Sequence, residues 1–342
     1  MKKRIEIIIM FFVFASLSLA QSNFVSNVSK RGTTAAPFLN ISQGARATSM
    51  GSAFVAVADD PTAIFWNVAG IARLKNGIVF DHTEWFADLK YNYLSATISL
   101  GDYGTLGASF VSSDYGEMSV TTIAEPNGTG ESFKVTDVAF SLAWAINLTD
   151  NFSIGFNPKV VTQSIWNTSG YAFAIDMGVL YNTPFKGITL GMAITNFGTK
   201  MALNGTTAVV LYDPDPATEG NNGRIPAVLQ TDEWDLPLNF RVGISYKALE
   251  TDMHKLVLAV DALHPNNDYE SINLGGEYIF NDMFSIRGGW KSLLLEDSEE
   301  SFTLGAGVKQ NIMGNINIRF DYSYSDFGRL SDVQKFSIGI NF

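Results

Sequence analysis

Cysteine is absent from all 342 residues. That excludes a disulfide scaffold, a thiolate metal site and a thiol nucleophile. Histidine is scarce: His82, His254 and His264 lie far apart and share no metal-ligand spacing. No G-x-S-x-G elbow occurs. Asp59-Asp60 is the one adjacent acid pair with a catalytic look, and helix capping explains Asp60 more simply. Asp213, Asp215 and Glu219 match no defined calcium loop, and Glu296, Asp297, Glu299 and Glu300 read as a solvated acidic loop. We therefore expect a non-enzyme with no metal and no cofactor. Basic residues are outnumbered, 23 Lys+Arg against 34 Asp+Glu, and a net charge of −11 argues against a nucleic-acid partner.

Long apolar runs are missing as well. Beyond the first twenty residues nothing approaches the roughly 18 apolar residues of a membrane-crossing helix. Yet 46% of the chain is hydrophobic. Alternation resolves the tension, because a membrane-spanning strand carries its apolar residues at every second position and a window average conceals them.

The exceptional stretch is the start. Lys2, Lys3 and Arg4 precede a mostly apolar Ile5 to Leu19, and Ser18-Leu19-Ala20 is a small-x-small cleavage site. This is the pattern of a secretory signal over residues 1–20, removed near Ala20 after Sec-type export. No Cys follows, which excludes the usual lipoprotein anchor.

From Gly77 onward the period is two. Leu238, Phe240, Val242, Ile244 and Tyr246 share one face; Asn239, Arg241, Gly243 and Ser245 share the other. Val138, Phe140, Leu142 and Trp144 oppose Asp137, Ala139, Ser141 and Ala143 in the same way. Such strands have one face against apolar matter and one against water. About fourteen can be counted, near 77–86, 90–100, 103–113, 134–146, 152–165, 170–181, 187–197, 238–247, 254–263, 269–280, 283–293, 301–310, 314–325 and 332–342. Links after even strands are short, while the longest, 114–133 and 198–237, follow odd strands. We therefore expect an all-β transmembrane antiparallel barrel over residues 77–342, in contact with outer-membrane lipid, with short turns on the periplasmic side and loops outside. The same parity places the N-terminal segment and Phe342 on the periplasmic side. Phe342, the terminal aromatic of a strand with no tail, is our candidate assembly signal. Tyr91, Tyr93, Trp144, Trp166, Tyr171, Tyr181, Tyr246, Tyr278, Trp290, Tyr322 and Tyr324 sit mostly near strand ends and suit interfacial girdles.

Residues 21–76 differ in character. Ser42 reads as the N-cap of a short helix to Met50 stopped by Gly51, Ala53 to Ala58 as a small apolar strand, and Asp60 as an N-cap with Pro61 at the first helical position. Gly70 closes the following turn. A compact run of small residues ahead of the first barrel strand suits an N-terminal hatch, or plug, in the lumen.

The stretch Ala45 to Ala72, ARATSMGSAFVAVADDPTAIFWNVAGIA, resembles the N-terminal signature of the PorV/PorQ family of outer-membrane proteins, itself similar to the FadL-like fatty-acid transporters. Ala36-Pro37-Phe38-Leu39 resembles the run into that motif. The resemblance implies a fourteen-stranded barrel with a hatch inside it. Asn67, Ala69 and Gly70 match the family pattern, whereas Val68 replaces its usual proline. It also implies two kinds of work. PorV-like members serve type IX secretion, binding export partners or cargo, here through loops 114–133 and 198–237. FadL-like members pass hydrophobic small molecules, here through a hatch and gate drawn from Asp60, Pro61, Trp66, Asn67 and Gly70. We rank the secretion role first and the hydrophobic-ligand channel second.

The alternation also assigns Arg241, Lys255, Asp261, Glu277, Arg287, Lys291, Arg319 and Asp321 to the lumen, where charges must pair or meet water. Salt bridges that clamp the hatch are the favoured reading. An apolar pocket for a hydrophobic ligand would draw on Phe65, Trp66 and Val68.

Overall fold

Period-two alternation produces fourteen strands that close on themselves. They are β1 (Gly77–Glu84), β2 (Lys90–Ser99), β3 (Thr105–Asp114), β4 (Ser132–Thr149), β5 (Phe152–Ile165), β6 (Thr168–Asn182) and β7 (Ile188–Gly198). The second half comprises β8 (Asn239–Glu250), β9 (His254–Pro265), β10 (Ser271–Phe280), β11 (Phe284–Leu293), β12 (Phe302–Met313), β13 (Ile316–Asp326) and β14 (Asp332–Asn341). The structure is a computed structural model that describes residues 30–342 except 219, 221, 296, 297 and 315. The expected secretory signal, the start of the expected hatch up to residue 29, Glu219, Glu296 and Asp297 lie outside the described residues.

Every neighbouring pair is antiparallel, and β1 pairs with β14 from Gly77↔Asn341 to Glu84↔Gln334, so no barrel edge is left open. Phe342 lies at this seam, where its N–H donates to Asn76 O at 3.0 Å. The links 100–104, 150–151, 183–187 and 251–253 gather at one end, here the turn end. The long links 115–131 and 199–238 gather at the other, the loop end. Link 199–238 carries a short hairpin, Val209–Tyr212 against Ile225–Val228. Outward side chains are apolar and exposed, among them Phe80, Leu94, Phe110, Phe140, Leu142, Ile244, Phe320 and Ile338. Inward partners such as Asp81, Ser95, Thr97, Asp137 and Ser337 are buried. A belt of this kind, apolar all round with polar matter inside, is stable only where the surrounding solvent is itself apolar. Among the described residues no helix is long and apolar enough to cross a membrane.

What fills the lumen is the chain ahead of β1. It holds two short helices, α1 (Ala45–Ser49) and α2 (Ala63–Trp66), and a 3-10 turn over Val68–Arg73. Three expectations fail here. Ser42 does not cap α1: Gly44 stands at that position, and the Ser42 hydroxyl bonds the Ser52 hydroxyl at 2.9 Å. Ala53 to Ala58 forms turns and no strand, because it packs on the inner face of the wall, where the backbone hydrogen bonds of the strands are already spent on one another. Asp60 precedes α2 by more than one residue, with Thr62 at the N-cap; its Oδ1 accepts the Thr62 N–H at 2.9 Å and hydroxyl at 2.5 Å.

Two further corrections concern placement. Tyr91 and Tyr93 are buried in the lumen rather than in an outer girdle, since they share parity with inward Ser95 and Thr97. The described start of the chain lies at the loop end rather than with Phe342. Arg31 pairs with Asp268 at 2.8 Å, Ala35 N–H reaches Asp235 O at 2.9 Å, and Ala36 N–H reaches Gln163 Oε1 at 2.7 Å. The segment therefore runs down the lumen from the loop end before it enters β1 at the turn end.

Candidate functional site

The lumenal segment has little regular structure, so most of its backbone groups need partners elsewhere. Barrel side chains supply them. Asp261 Oδ2 accepts the N–H groups of Phe54 and Val55 at 2.8 and 2.9 Å. Asp81 Oδ2 and Ser337 Oγ accept Gly44 and Ala45 at 2.9 and 2.7 Å, and Lys335 Nζ donates to Ser42 O. Thr303 Oγ1 accepts Gly51 N–H and donates to Ser49 O. Asn67 Nδ2 donates to Val55 O within the segment and to Val179 O on β6, both at 2.9 Å.

Glycines let the wall come that close. A Cβ at Gly275 would stand 2.2 Å from Met50 O, at Gly191 2.4 Å from Val55 O, and at Gly178 2.1 Å from Asn67 Oδ1. Gly70 is constrained from within the segment, where a Cβ would meet Ala58 O at 2.1 Å. Pro61 Cγ abuts the start of β1 at Gly77.

A buried ion network joins segment and wall. Arg46 reaches Glu277 Oε2 at 2.6 Å, Asp59 at 2.5 Å and Asp60 at 3.3 Å. Arg319 reaches Asp60 at 2.8 Å and Asp321 at 2.7 Å; Arg287 reaches Glu277 at 2.6 Å and Asp321 at 2.8 Å. Burial alone would raise the Asp60 pKa, but Arg319 and Arg46 pull it down to about 2. Burial alone would lower Arg46, but Asp59, Glu277 and Asp60 carry it well above its usual value.

The network thus gathers Asp60, Glu277, Arg287, Arg319 and Asp321 from the residues singled out in the sequence. It does not gather the others. Lys255 lies at the turn-end rim with Asp282, 2.5 Å away and more than half exposed, because its position on β9 is too near the strand start for lumen depth. Lys291 lies near the loop end with Glu300 at 2.6 Å. Asp261 serves backbone N–H groups instead of a cation. Arg46 carries no signal in the sequence, because period two is silent on a non-strand segment. Lys335 and Asp81 were visible as wet-face residues, and their parity was the signal to include them.

Arg241 stands apart. Its guanidinium lies over the rings of Phe65 and Trp66, 5.7 and 5.2 Å from the centroids. It faces a cavity of about 390 Å3 between the lumenal segment and the loops. Ser42, Ser52 and Trp66 form the floor; Asn239, Arg241, Ser271, Asn273 and Lys291 form the wall; Asp268, Glu299 and Glu300 ring the mouth. The Trp66 indole N–H is held by Gln43 O at 2.9 Å, which fixes the ring in the floor. The apolar side of the segment offers far less room. Phe65 lines a cavity of about 30 Å3 with Phe38, Leu39, Ile64 and Val111, and Val68 is packed with Ile64 and Ala143. That space holds a water, not a hydrocarbon.

A model of the uncharacterised protein family UPF0164 matches residues 12–208, more than half of the chain. The chain belongs to that family. No curated protein sequence matches it. This UPF0164 member shares its fold with solved outer-membrane channels. The Pseudomonas putida toluene transporter TodX superposes with a TM-score of 0.55 at 13% identity, over 87% of this chain and 96% of that one. The Ralstonia pickettii toluene transporter TbuX gives 0.54 at 14%, over 87% and 97%. The CymD monoaromatic hydrocarbon channel gives 0.54 at 14%, over 87% and 97%. Identities this low establish a shared closed fourteen-strand barrel and nothing finer.

Proposed function

We propose that this chain is a non-enzymatic outer-membrane barrel that admits a small molecule from the loop end, with its lumenal segment as the hatch and Asp60, Pro61, Trp66, Asn67 and Gly70 as its gate. One observation carries the reading. The cavity of about 390 Å3 is floored by Ser42, Ser52 and Trp66, so a bound molecule touches the segment that blocks the lumen. Solved barrels of this fold are described as toluene transporters, which supports passage of small molecules through such a frame. The charges on this cavity's wall argue for a polar cargo over a hydrocarbon. The test is solute flux into liposomes carrying the full chain, with cysteines placed at Ser49 and Thr303. Those residues touch across the lumen wall at 3.0 Å, and the native chain has no other thiol. Oxidation should stop flux and reduction should restore it. Flux indifferent to oxidation refutes the hatch.

A second reading, the PorV/PorQ-like secretion role, draws on the hairpin in link 199–238. Leu211, Tyr212, Val228 and Leu229 are more than half exposed on it, an apolar surface at the loop end. Removal of residues 204–230 should abolish co-purification of exported proteins while it spares solute flux. Retained co-purification removes this reading.

A further inference from the structure

We propose that Arg241 is the anchor of a binding site for a compact, hydroxylated organic monocarboxylate, of hydroxy-acid or sugar-acid type, in the loop-end cavity. This deepens the small-molecule reading above and rests on it. Arg241 is 6% exposed, and its Nε and Nη1 are buried with no hydrogen-bond partner. A guanidinium so far from water, with donors unused, is costly unless an acceptor arrives. Its planar fork matches a carboxylate, with two parallel N–H···O bonds. Phe65 and Trp66 cover the guanidinium face, which leaves its edge as the docking side.

The surroundings narrow the ligand. The other cations at the cavity are already matched: Arg31 with Asp268, and Lys291 with Glu300. Arg241 is left with donors that no acid touches, so one carboxylate is matched there, whereas the second charge of a dianion such as a phosphate ester would meet cations already paired with Asp268, Glu299 and Glu300. The buried Oδ1 of Asn239 has no partner, so the wall also offers an unused acceptor for a ligand hydroxyl. At about 390 Å3 the cavity is near the lower end of the roughly 300–1,000 Å3 of small-molecule pockets.

The experiment is calorimetric titration of the refolded full chain in detergent with glucuronate, glucose, glucose 6-phosphate and toluene. Barrel folding of each variant is checked by its heat-modifiable gel mobility. Saturable binding of glucuronate is expected, with at least tenfold weaker binding of glucose and of glucose 6-phosphate. Arg241→Gln should weaken glucuronate at least tenfold, and Arg241→Lys should recover part of that loss. Asn239→Leu, which keeps the guanidinium, should weaken glucuronate and leave a plain acid such as acetate unchanged. Equal binding of glucose, unchanged affinity in folded Arg241→Gln, or no binding of glucuronate overturns the site. Liposome flux separates this from the channel reading. Binding without flux sinks the channel and keeps the site; flux of toluene without glucuronate binding sinks the site and keeps the channel.

Discussion

Below the hatch floor, Arg46, Arg287 and Arg319 each meet at least one carboxylate within 2.9 Å, whereas above it Arg241 meets none within hydrogen-bond reach. Both regions are lumen, both are lined by inward residues of the same barrel, and both bury guanidinium groups. In the lower region the cations are matched by acids on segment and wall, glycines admit the backbone, and little space is left. In the upper region the same construction stops short. One donor set is unsatisfied, an amide acceptor is idle, and a cavity remains. The contrast separates a part in which each buried guanidinium meets a carboxylate from a part in which one meets none.

The sharpest way to break that contrast is to open the lower network. Glu277→Ala removes the carboxylate shared by Arg46 and Arg287 and leaves two buried guanidinium groups short of a partner. Loss of about 3–5 kcal/mol is expected in denaturant unfolding, with new protease cuts within residues 40–70. A midpoint equal to that of the native chain would show that the network does not hold the segment.

Acid should act on the same joint with a smaller effect. The folded Asp60 pKa of about 2 lies below the ordinary aspartate value of 3.8, so the ionised pair adds stability that is present at neutral pH. That stability, about 2 kcal/mol, should fade as pH falls below roughly 4 and be gone below about 2. In Asp60→Asn the step should vanish, as read by Trp fluorescence against pH; a step of the same size in the variant assigns it to another group.

Close approach is a separate support and can be tested alone. Gly275→Val places a side chain against the backbone of Met50, and overpacking of this kind costs about 1–3 kcal/mol. Hydrogen exchange at residues 45–55 should rise while the barrel strands stay protected. Rim pairs should matter least. Lys255→Ala, which loses the exposed contact with Asp282, should change stability by about 0–1 kcal/mol. A larger loss would mean that the rim contributes to the clamp.

Strand identity was legible in the residues alone, since side chains on a pleated ribbon alternate and one solvent on each side turns that geometry into a written period. Phe240 beside Arg241, and Phe320 beside Arg319 and Asp321, carry the message without any knowledge of their neighbours. Loop parity did the same for closure. The path of residues 31–76 was not legible. Its turns take their hydrogen bonds from Asp261, Ser337, Thr303 and the backbone of Val179, residues up to 292 positions away, so no local propensity records them. Arg46 and Asp60 look like ordinary helix-surface residues until Glu277 and Arg319 are brought beside them. Arg241 reads as one wet-face charge among several, and only the tertiary arrangement shows that the acids nearby are spent on other partners. The sequence by itself determined which faces meet lipid and water, because that choice is made residue by residue; the three-dimensional closure decided which buried charges are matched, because pairing depends on distance and not on order along the chain.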